Sequence, residues 1–364
     1  MKRNLVFTMA TVAIIATTIL AACAPSPAPT ASAPASTGST PAAPGKVIEL
    51  TISDHNPPQA APAPAAQAYG KYIEEKSGGR VKVKVIIGAA LLQEPEAYPA
   101  VQKGVVDAAS YAINAKEGFK LNTVMCLPFM GFPDQVNTTK IYWELVKKFP
   151  QMEKEWEGTK YTAMYMMPPT QLHFTKRVVK TPADIKGVKM CGAEASVNET
   201  LSAVGAVPVE TSVGDLFVTI NSGATEGLLN HFPVAFVFGA LDILKSHTTF
   251  GVGGINKAAM GLVWNKAKYD SLPADIKKIV DDARVVYEEV FAKSDSEMQN
   301  MVMGIVKGRK DNIVELNDAQ IKDWYNLVKS PMHDKWISEA KAKGLPGQEV
   351  YNEALKLAEQ YKGK

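Results

Sequence analysis

The chain has 364 residues and a formal net charge of +3, which is too small to indicate nucleic acid or an anionic membrane surface as its partner. Hydrophobic residues make up 46% and charged residues 21%, as in an average soluble protein, so the length predicts two domains of ordinary size. The three cysteines are too few for a disulfide framework and include no Cys-x-x-Cys spacing typical of a metal site.

The N-terminus predicts export. Lys2 and Arg3 precede a mostly apolar run over 5–20, which is too short to cross a bilayer, so we expect a signal peptide over 1–22. The Leu-Ala-Ala-Cys that ends it resembles the bacterial lipobox, which implies lipid modification of Cys23 and attachment to the outer face of a membrane. Ordinary cleavage with Cys23 merely nearby is the alternative. The Ala-, Pro-, Ser- and Thr-rich residues that follow, 23–46, predict a disordered tether.

The globular part alternates strands and helices. The first series predicts strands over 47–53, 81–87 and 108–113, with helices over 65–76 and 94–103. The second series predicts strands over 187–190, 207–210 and 228–232, with helices over 195–204 and 213–221. This alternation predicts mostly parallel sheets with helices on their faces. We therefore expect an α/β fold of two similar lobes.

A long helix is predicted after Pro273. Residues 274–306 contain no proline and only one glycine, and their apolar residues recur at spacings of three and four. A helix of this length would reach about 45 Å, longer than one lobe, so it should bridge both lobes. Two helices broken near 293–296 are the alternative. We expect the first lobe over 47–171, the second over 172–250, a return strand and the long helix over 251–310, and C-terminal helices over 311–364.

The motifs of common enzyme classes are missing from the sequence. It contains no dinucleotide fingerprint in its strand-helix context, no phosphate-binding loop and no Gly-x-Ser-x-Gly elbow. Its five histidines include no pair at the helical spacing of metal ligands. A Cys126 or Cys191 thiol paired with His231 is the remaining catalytic alternative, although such cysteines are more often small buried residues. We predict a binding protein without cofactor or metal, and not an enzyme.

Five segments resemble, in chain order, the solute-binding proteins of tripartite ATP-independent periplasmic (TRAP) transporters. They are Lys76–Val83, Gly104–Asp107, Leu127–Phe129, Lys180–Lys189 and Ser271–Asp275. The resemblance covers residues 47–361. It implies a Venus flytrap architecture, in which two lobes close over one small molecule and the closed protein delivers it to a membrane permease. A lipoprotein that senses a ligand for a membrane receptor and a binding protein of an ATP-driven importer are the alternatives.

One position departs from the family pattern. Cys191 stands where the resemblance places an arginine that grips a ligand carboxylate, and a thiol cannot replace that fixed cation. In one account the ligand is neutral, aromatic or cationic, which suits acidic residues such as Glu194. In the other account it is still a carboxylate, held by Lys189, Arg177 or protonated His231. Both accounts remain open, and we favour the first.

The candidate ligand residues follow the predicted strands, because small molecules bind outside the carboxyl ends of strands in open α/β sheets. The resemblance also implies that an asparagine at or near position 230 touches the ligand, which makes Asn230 a candidate. The complete set of candidates is His55, Asn56, Glu94, Tyr111, Asn114, Met167, Cys191, Glu194, Asn230, His231 and Phe232.

Overall fold

The computed structural model describes residues 46–113 and 118–363. The predicted signal peptide, the anchor at Cys23, nearly all of the predicted tether and the candidate Asn114 lie outside these ranges. Within them, no helix is long and apolar enough to cross a membrane.

Strands and helices alternate along the described ranges. The strands are β1 (Ile48–Asp54), β2 (Val81–Ile87), β3 (Ala108–Ala112), β4 (Thr159–Met166), β5 (Gln171–Phe174), β6 (Lys189–Gly192), β7 (Val207–Glu210), β8 (Gly227–Asn230), β9 (Ser246–Thr249), β10 (Ala259–Asn265) and β11 (Asn312–Glu315). The α-helices are α1 (Pro62–Lys76), α2 (Glu94–Gln102), α3 (Gln135–Lys148), α4 (Pro150–Lys154), α5 (Ala195–Ala203), α6 (Leu216–Asn221), α7 (Phe232–Val237), α8 (Lys266–Ser271), α9 (Ala274–Gly308), α10 (Asp318–Val328), α11 (Lys335–Ala342) and α12 (Gly347–Tyr361).

The strands form two sheets. The first has the order β2-β1-β3-β10-β4, with β1, β2 and β3 parallel and β10 antiparallel to both of its neighbours. The second has the order β11-β9-β5-β8-β6-β7, in which β5 runs antiparallel to β8 and β9. Each sheet is mixed because one strand that arrives from the other sheet runs against its neighbours.

The alternating pattern of β1 explains how the first sheet packs. Leu50 and Ile52 are almost fully buried and belong to one apolar core with Tyr69 and Ile73 of α1. Burial of each such aliphatic side chain contributes about 1.5–3 kcal/mol to stability. The same core takes in Tyr287 of α9, so the long helix packs on the first sheet through its N-terminal half.

The C-terminal half of α9 packs on the second lobe, where Val302 and Val306 join a core with Leu216 and Leu228. The predicted bridging helix is therefore confirmed, and the alternative of a break near 293–296 is wrong because α9 is continuous for 35 residues. At 1.5 Å per residue the helix is about 50 Å long. One rigid element thus belongs to both cores.

Two further segments connect the sheets, one after β4 and one before β10. The Met167 amide donates to the Ala258 carbonyl at 2.9 Å, and the Thr170 amide donates to the Asn256 carbonyl at 2.9 Å. The Ile255 amide donates to the Thr170 carbonyl at 3.0 Å. These bonds tie the two connections together as a short ribbon. The lobes are also joined by α9 and by the helical turn Lys329–Asp334, which leads from α10 on the second lobe to α11 on the first.

Several element boundaries differ from the sequence prediction. The strand predicted over 187–190 is β6, two residues later, and the helix predicted over 65–76 begins at Pro62. The predicted strand over 228–232 ends at Asn230, and α7 begins at Phe232, because Pro233 at the start of a helix has the required backbone angle and lacks only an unneeded N–H group. The predicted helix over 213–221 begins as a tight turn over Val213–Asp215 before α6.

Candidate functional site

Residues that follow strands of both sheets meet in one pocket. Asn56 follows β1, Met167 follows β4, and His231 follows β8, while Phe238 and Asp295 come from the end of α7 and from α9. The cavity volume of the pocket is about 40 Å³, and the roughly 390 Å³ of space around it includes open solvent. Its complete lining is Asn56, Pro57, Ala60, Ala61, Pro62, Met167, His231, Pro233, Val234, Val237, Phe238, Asp295 and Met298. Three of the predicted ligand residues, Asn56, Met167 and His231, are thus brought together.

A buried carboxyl group lies beside this pocket at the end of β1. The Asn56 amide and side-chain nitrogen donate to Asp54 Oδ1 at 2.8 and 2.6 Å, which fixes the loop that carries Asn56. Asp54 has no exposed surface, and its Oδ2 has no hydrogen-bond partner among the described residues. Burial raises the pKa of Asp54 to about 6. Such an unpaired carboxylate is costly for a protein to keep.

The predicted ligand residue His55 is neutral. Burial lowers the pKa of its ring to about 4, against a smaller opposing effect of the Ser110 backbone. The Nδ1 atom is buried and has no partner among the described residues. The His55 ring is not among the residues that line the pocket.

His231 enters the pocket as an uncharged ring. It precedes α7, and its Nδ1 accepts a hydrogen bond from the Val234 amide at 3.3 Å. Burial lowers the pKa of His231 to about 3. Since Nδ1 is an acceptor, the hydrogen of the neutral ring lies on Nε2. The adjacent Asn230 accepts from the His231 amide through Oδ1 at 2.8 Å, so its side chain folds back along its own loop.

Asp295 is the only charged residue among the described residues that line the pocket. It lies on α9 and is 2% exposed. Its Oδ2 accepts from Gln135 Nε2 and Gln299 Nε2, each at 2.7 Å. Burial raises the pKa of Asp295 to about 6 in spite of these two bonds. The group is therefore an anion at neutral pH, held by donors from both α3 and α9.

A second acidic feature involves Glu194, which precedes α5, and Glu94, the first residue of α2. Removal from bulk water and, second, the nearby Glu94 charge together raise the pKa of Glu194 to about 7. The Glu194 side chain still has exposed surface. A group at the wall of a cleft can touch water and still be crowded by protein, which explains both observations. The two residues come from different lobes and do not line the pocket around Asn56.

Three predicted ligand residues lie in the apolar cores. Tyr111 is 1% exposed, with its ring 4.8 Å from that of Tyr98, because successive residues of β3 face opposite sides of the sheet. Cys191 is fully buried, with its Sγ 3.1 Å from Thr225 Oγ1. Phe232 packs its ring 4.5 Å from the His173 ring. Cys126 and Cys191 are both free, buried thiols.

Asp295 and Asp54 were missed by the sequence prediction. The sequence did contain a sign of Asp295, since Tyr287, Phe291 and Asp295 follow one another at spacings of four on the buried face of α9. An acidic residue on the buried face of an amphipathic helix is unusual and points to a polar role. Asp54 had no comparable signal, because an acid at the end of a strand is ordinarily solvated.

A wider, open groove on the second lobe contains none of the predicted ligand residues. It is lined by Asn198, Glu199, Ser202, Ala203, Pro331, Met332 and Lys335. The described ranges contain no group of three or more His, Cys, Asp or Glu side chains placed to hold a metal ion.

Comparisons of sequence place the chain in a family. A family model described as bacterial extracellular solute-binding protein, family 7 (DctP) matches residues 52–339. A solute-binding protein of Verminephrobacter eiseniae is 29% identical over 229 residues, which is 60% of this chain and 65% of that relative. A solute-binding protein of Albidiferax ferrireducens is 20% identical over 71% of this chain and 76% of the relative. The chain thus spans just under two thirds of the first relative and about three quarters of the second.

Solved structures share the fold. A TRAP solute-binding protein from a marine metagenome, specific for aromatic acid ligands and in complex with 3-hydroxybenzoate, superposes with a TM-score of 0.78 at 22% identity, covering 87% of this chain and 100% of that one. A TRAP solute-binding protein from Rhodoferax ferrireducens with copurified benzoate superposes with a TM-score of 0.76 at 21% identity, covering 86% and 98%. These likenesses confirm the predicted two-lobe α/β architecture. With most of its globular part matched by the family model, the chain belongs to the bacterial extracellular solute-binding protein family 7.

Proposed function

We propose that this chain is the solute-binding component of a TRAP importer, anchored by lipid at Cys23, and that it performs no chemistry on its ligand. It closes two lobes over a small molecule and presents that molecule to membrane permease subunits. Family membership and the two-lobe fold support this proposal. The ribbon and α9 that join the lobes allow closure about a fixed axis, and contact of the ligand with both lobes favours the closed state.

The lining of the pocket carries the proposal for the ligand. It contains apolar side chains, an amide, a neutral histidine and the Asp295 carboxylate, but no lysine or arginine among the described residues. A ligand carboxylate would lie there near an anion and without a cation, at a large cost in desolvation. We therefore propose a ligand with an apolar or aromatic body and an uncharged or cationic polar group. The sequence resemblance, which places Cys191 where the family has a gripping arginine, favours the same ligand class, although the Cys191 side chain itself is buried in a core.

The basic side chains that could replace the arginine for a carboxylate ligand do not line the pocket. Arg177 donates to Glu226 Oε2 from Nε at 2.9 Å and from Nη2 at 2.7 Å. Lys189 is exposed at the first residue of β6, the end of that strand remote from Glu194. The buried Lys257 donates to the Pro133 carbonyl and does not line the pocket.

The second candidate ligand class is an organic acid, and the solved relatives favour it. The two solved relatives above hold benzoate and 3-hydroxybenzoate, and a TRAP solute-binding protein of Chromohalobacter salexigens holds D-glucuronate. Each of those molecules carries a carboxylate. For this chain to bind one, closure would have to bring a cation from outside the described pocket to the ligand.

A matched ligand series tests the two classes. Benzylamine, benzamide and benzoate share one ring and differ in charge, so the polar group alone decides among them. At pH 7.5 we expect isothermal titration calorimetry of the full chain in mild detergent to show binding of benzylamine or benzamide and none of benzoate. Ligand at 100 times its Kd adds about 2.7 kcal/mol to the free energy of unfolding, a rise of a few degrees in Tm. Binding of benzoate alone would support the organic-acid class instead.

The anchor and the partner have tests of their own. Metabolic labelling with an alkyne fatty acid should mark the wild-type chain and fail to mark the Cys23→Ser variant. Labelling of neither chain would favour ordinary cleavage. A permease gene next to this one would support import, whereas a neighbouring receptor kinase gene would favour the sensing alternative.

A further inference from the structure

A row of hydrogen-bonding groups crosses the second sheet below the candidate site. His173 on β5 and His247 on β9 are directly opposite in the antiparallel pair, and their Nδ1 atoms lie 2.8 Å apart. His247 Nε2 lies 3.3 Å from Asp311 Oδ2, just before β11. His173 Nε2 lies 3.0 Å from the Asn230 carbonyl oxygen at the end of β8. We call these four groups the histidine chain. It spans four neighbouring strands and ends beside His231.

The histidine chain has acceptors at both of its ends, a carboxylate and a carbonyl. Each of its three contacts needs one hydrogen between the two atoms, so the row needs three. Two neutral imidazoles carry only two N–H hydrogens. A neutral pair therefore leaves one contact with two lone pairs facing each other, whichever tautomers are chosen.

We propose that His173 and His247 share three N–H protons and one positive charge, and that this extra proton positions the Asn230–His231 segment for ligand binding. The inference rests on the proposed function, because it takes the Asn230–His231 segment to be part of the ligand site. With three protons present, His173 donates to the Asn230 carbonyl, and the loop that carries His231 into the pocket is fixed.

Charged groups around the histidine chain act in both directions. Burial lowers the pKa of both histidines, and the His247 and His231 rings lower the pKa of His173 further. The Asp311 carboxylate raises the pKa of His247, whereas Arg309 and Lys245 lower it. Arg309 donates to Asp311 Oδ2 from Nε at 3.1 Å and also from Nη2. Two donors of Arg309 already point at Asp311 Oδ2, which leaves the rings as the place for the extra proton.

The three contacts of the histidine chain favour the protonated rings, and so oppose the lowering of their pKa by burial. Loss of the proton would leave two lone pairs facing each other at one of the three contacts: between the two Nδ1 atoms, at Asp311 or at the Asn230 carbonyl. Strand pairing holds the two rings against each other, and a carboxylate repels a bare nitrogen more strongly than a carbonyl does. The bare nitrogen would therefore face Asn230 at 3.0 Å, and the loop would move away. Because the proton is lost as pH rises, ligand affinity should fall with rising pH.

Nitrogen-15 NMR of the imidazoles counts the protons directly and needs no ligand. At about pH 6.5 we expect one ring of the pair to show two protonated nitrogens and the other ring one. The signals of the His173 ring should be missing from the spectrum of His173→Leu, which assigns them. Two neutral tautomers at that pH would overturn the proposal. This readout is independent of the proposed function, which fails separately if neither benzylamine nor benzamide binds.

Binding of benzylamine, or of benzamide if only that ligand binds, tests the positioning role. Between about pH 6 and 9 we expect the affinity of the wild type to fall about tenfold relative to that of His173→Gln, which shares the ionisation of Asp295. His173→Gln places a permanent amide donor near the Asn230 carbonyl, so it should keep the affinity and lose the additional pH dependence. His173→Leu should bind about tenfold more weakly at every pH. His333→Gln, which alters another buried histidine, is the control for general destabilisation. A pH profile identical in wild type and His173→Gln would contradict the positioning role.

Discussion

The Asp54→Asn variant is expected to be more stable than the wild type by about 2–3 kcal/mol at pH 8. Burial raises the pKa of Asp54 from 3.8 to about 6, and each pKa unit corresponds to about 1.4 kcal/mol. Asparagine keeps the acceptor that Asn56 uses and removes the charge. Its new amide nitrogen takes the place of Oδ2, which has no partner among the described residues. Urea unfolding followed by tryptophan fluorescence measures the difference.

The difference should depend on pH in a defined direction. Below about pH 4 Asp54 is protonated in both the folded and the unfolded state, so the variant and the wild type should be equally stable. Between about pH 4 and 6 the unfolded carboxyl ionises while the folded one holds its proton, so the wild type loses stability as pH rises. Above that range the full difference remains.

The control for this effect is Asp323→Asn, because Asp323 is exposed on α10. Its stability should match the wild type at both pH 4 and pH 8. If Asp54→Asn were less stable than the wild type at pH 8, Asp54 Oδ2 would have to have a partner in the folded protein, whereas it has none among the described residues.

The Asp295→Asn variant is expected to bind benzylamine about 30-fold more weakly than the wild type at pH 7.5. Loss of the charge opposite a partly desolvated cation costs at least about 2 kcal/mol. Asparagine still offers one oxygen to Gln135 and Gln299, so the fold should be kept. Benzamide carries no charge, and its affinity should hardly change. Isothermal titration calorimetry with both ligands measures the two affinities.

Glu297→Gln is the matched control, since Glu297 lies exposed on the same helix. An equal loss for benzylamine and benzamide would assign Asp295 a purely structural role, and no loss for either would remove it from the ligand site. At pH 5 the carboxyl of the wild type is largely protonated, because its pKa is about 6, so the difference between wild type and variant should become small.

Burial disfavours the ionised form of both aspartates, and both lie at or beside the candidate pocket. A protein that needs only a stable fold gains nothing from Asp54 with an unpaired oxygen or from Asp295 in a largely apolar pocket. Groups of this kind are common at functional sites, where a side chain that lowers stability is kept because it contributes to binding. Their position therefore supports the proposed ligand class independently of the Cys191 position.

Local patterns determined much of the fold. The alternating valines predicted the strand over 81–87, which is β2 with the same bounds, and the strand over 207–210 is likewise β7. The long periodic stretch after Pro273 predicted the bridging helix. These features depend on neighbouring residues, whose side chains repeat every two positions along a strand and every 3.6 along a helix. The resemblance to TRAP solute-binding proteins supplied the order of the elements, and the comparisons agree with it.

Only the tertiary structure decided which residues face the pocket. Tyr111 lies near the end of a strand as predicted, but the pairing of that strand directs its side chain into an aromatic core. Asp295 is 128 residues away from Met167 in sequence and reaches the same pocket because α9 belongs to both lobes. The contact of His173 with His247 depends on the register between β5 and β9, 74 residues apart. The sequence by itself determined the elements and the family, since these follow from local patterns. The site was decided by distant pairings of strands and helices, which no local pattern records.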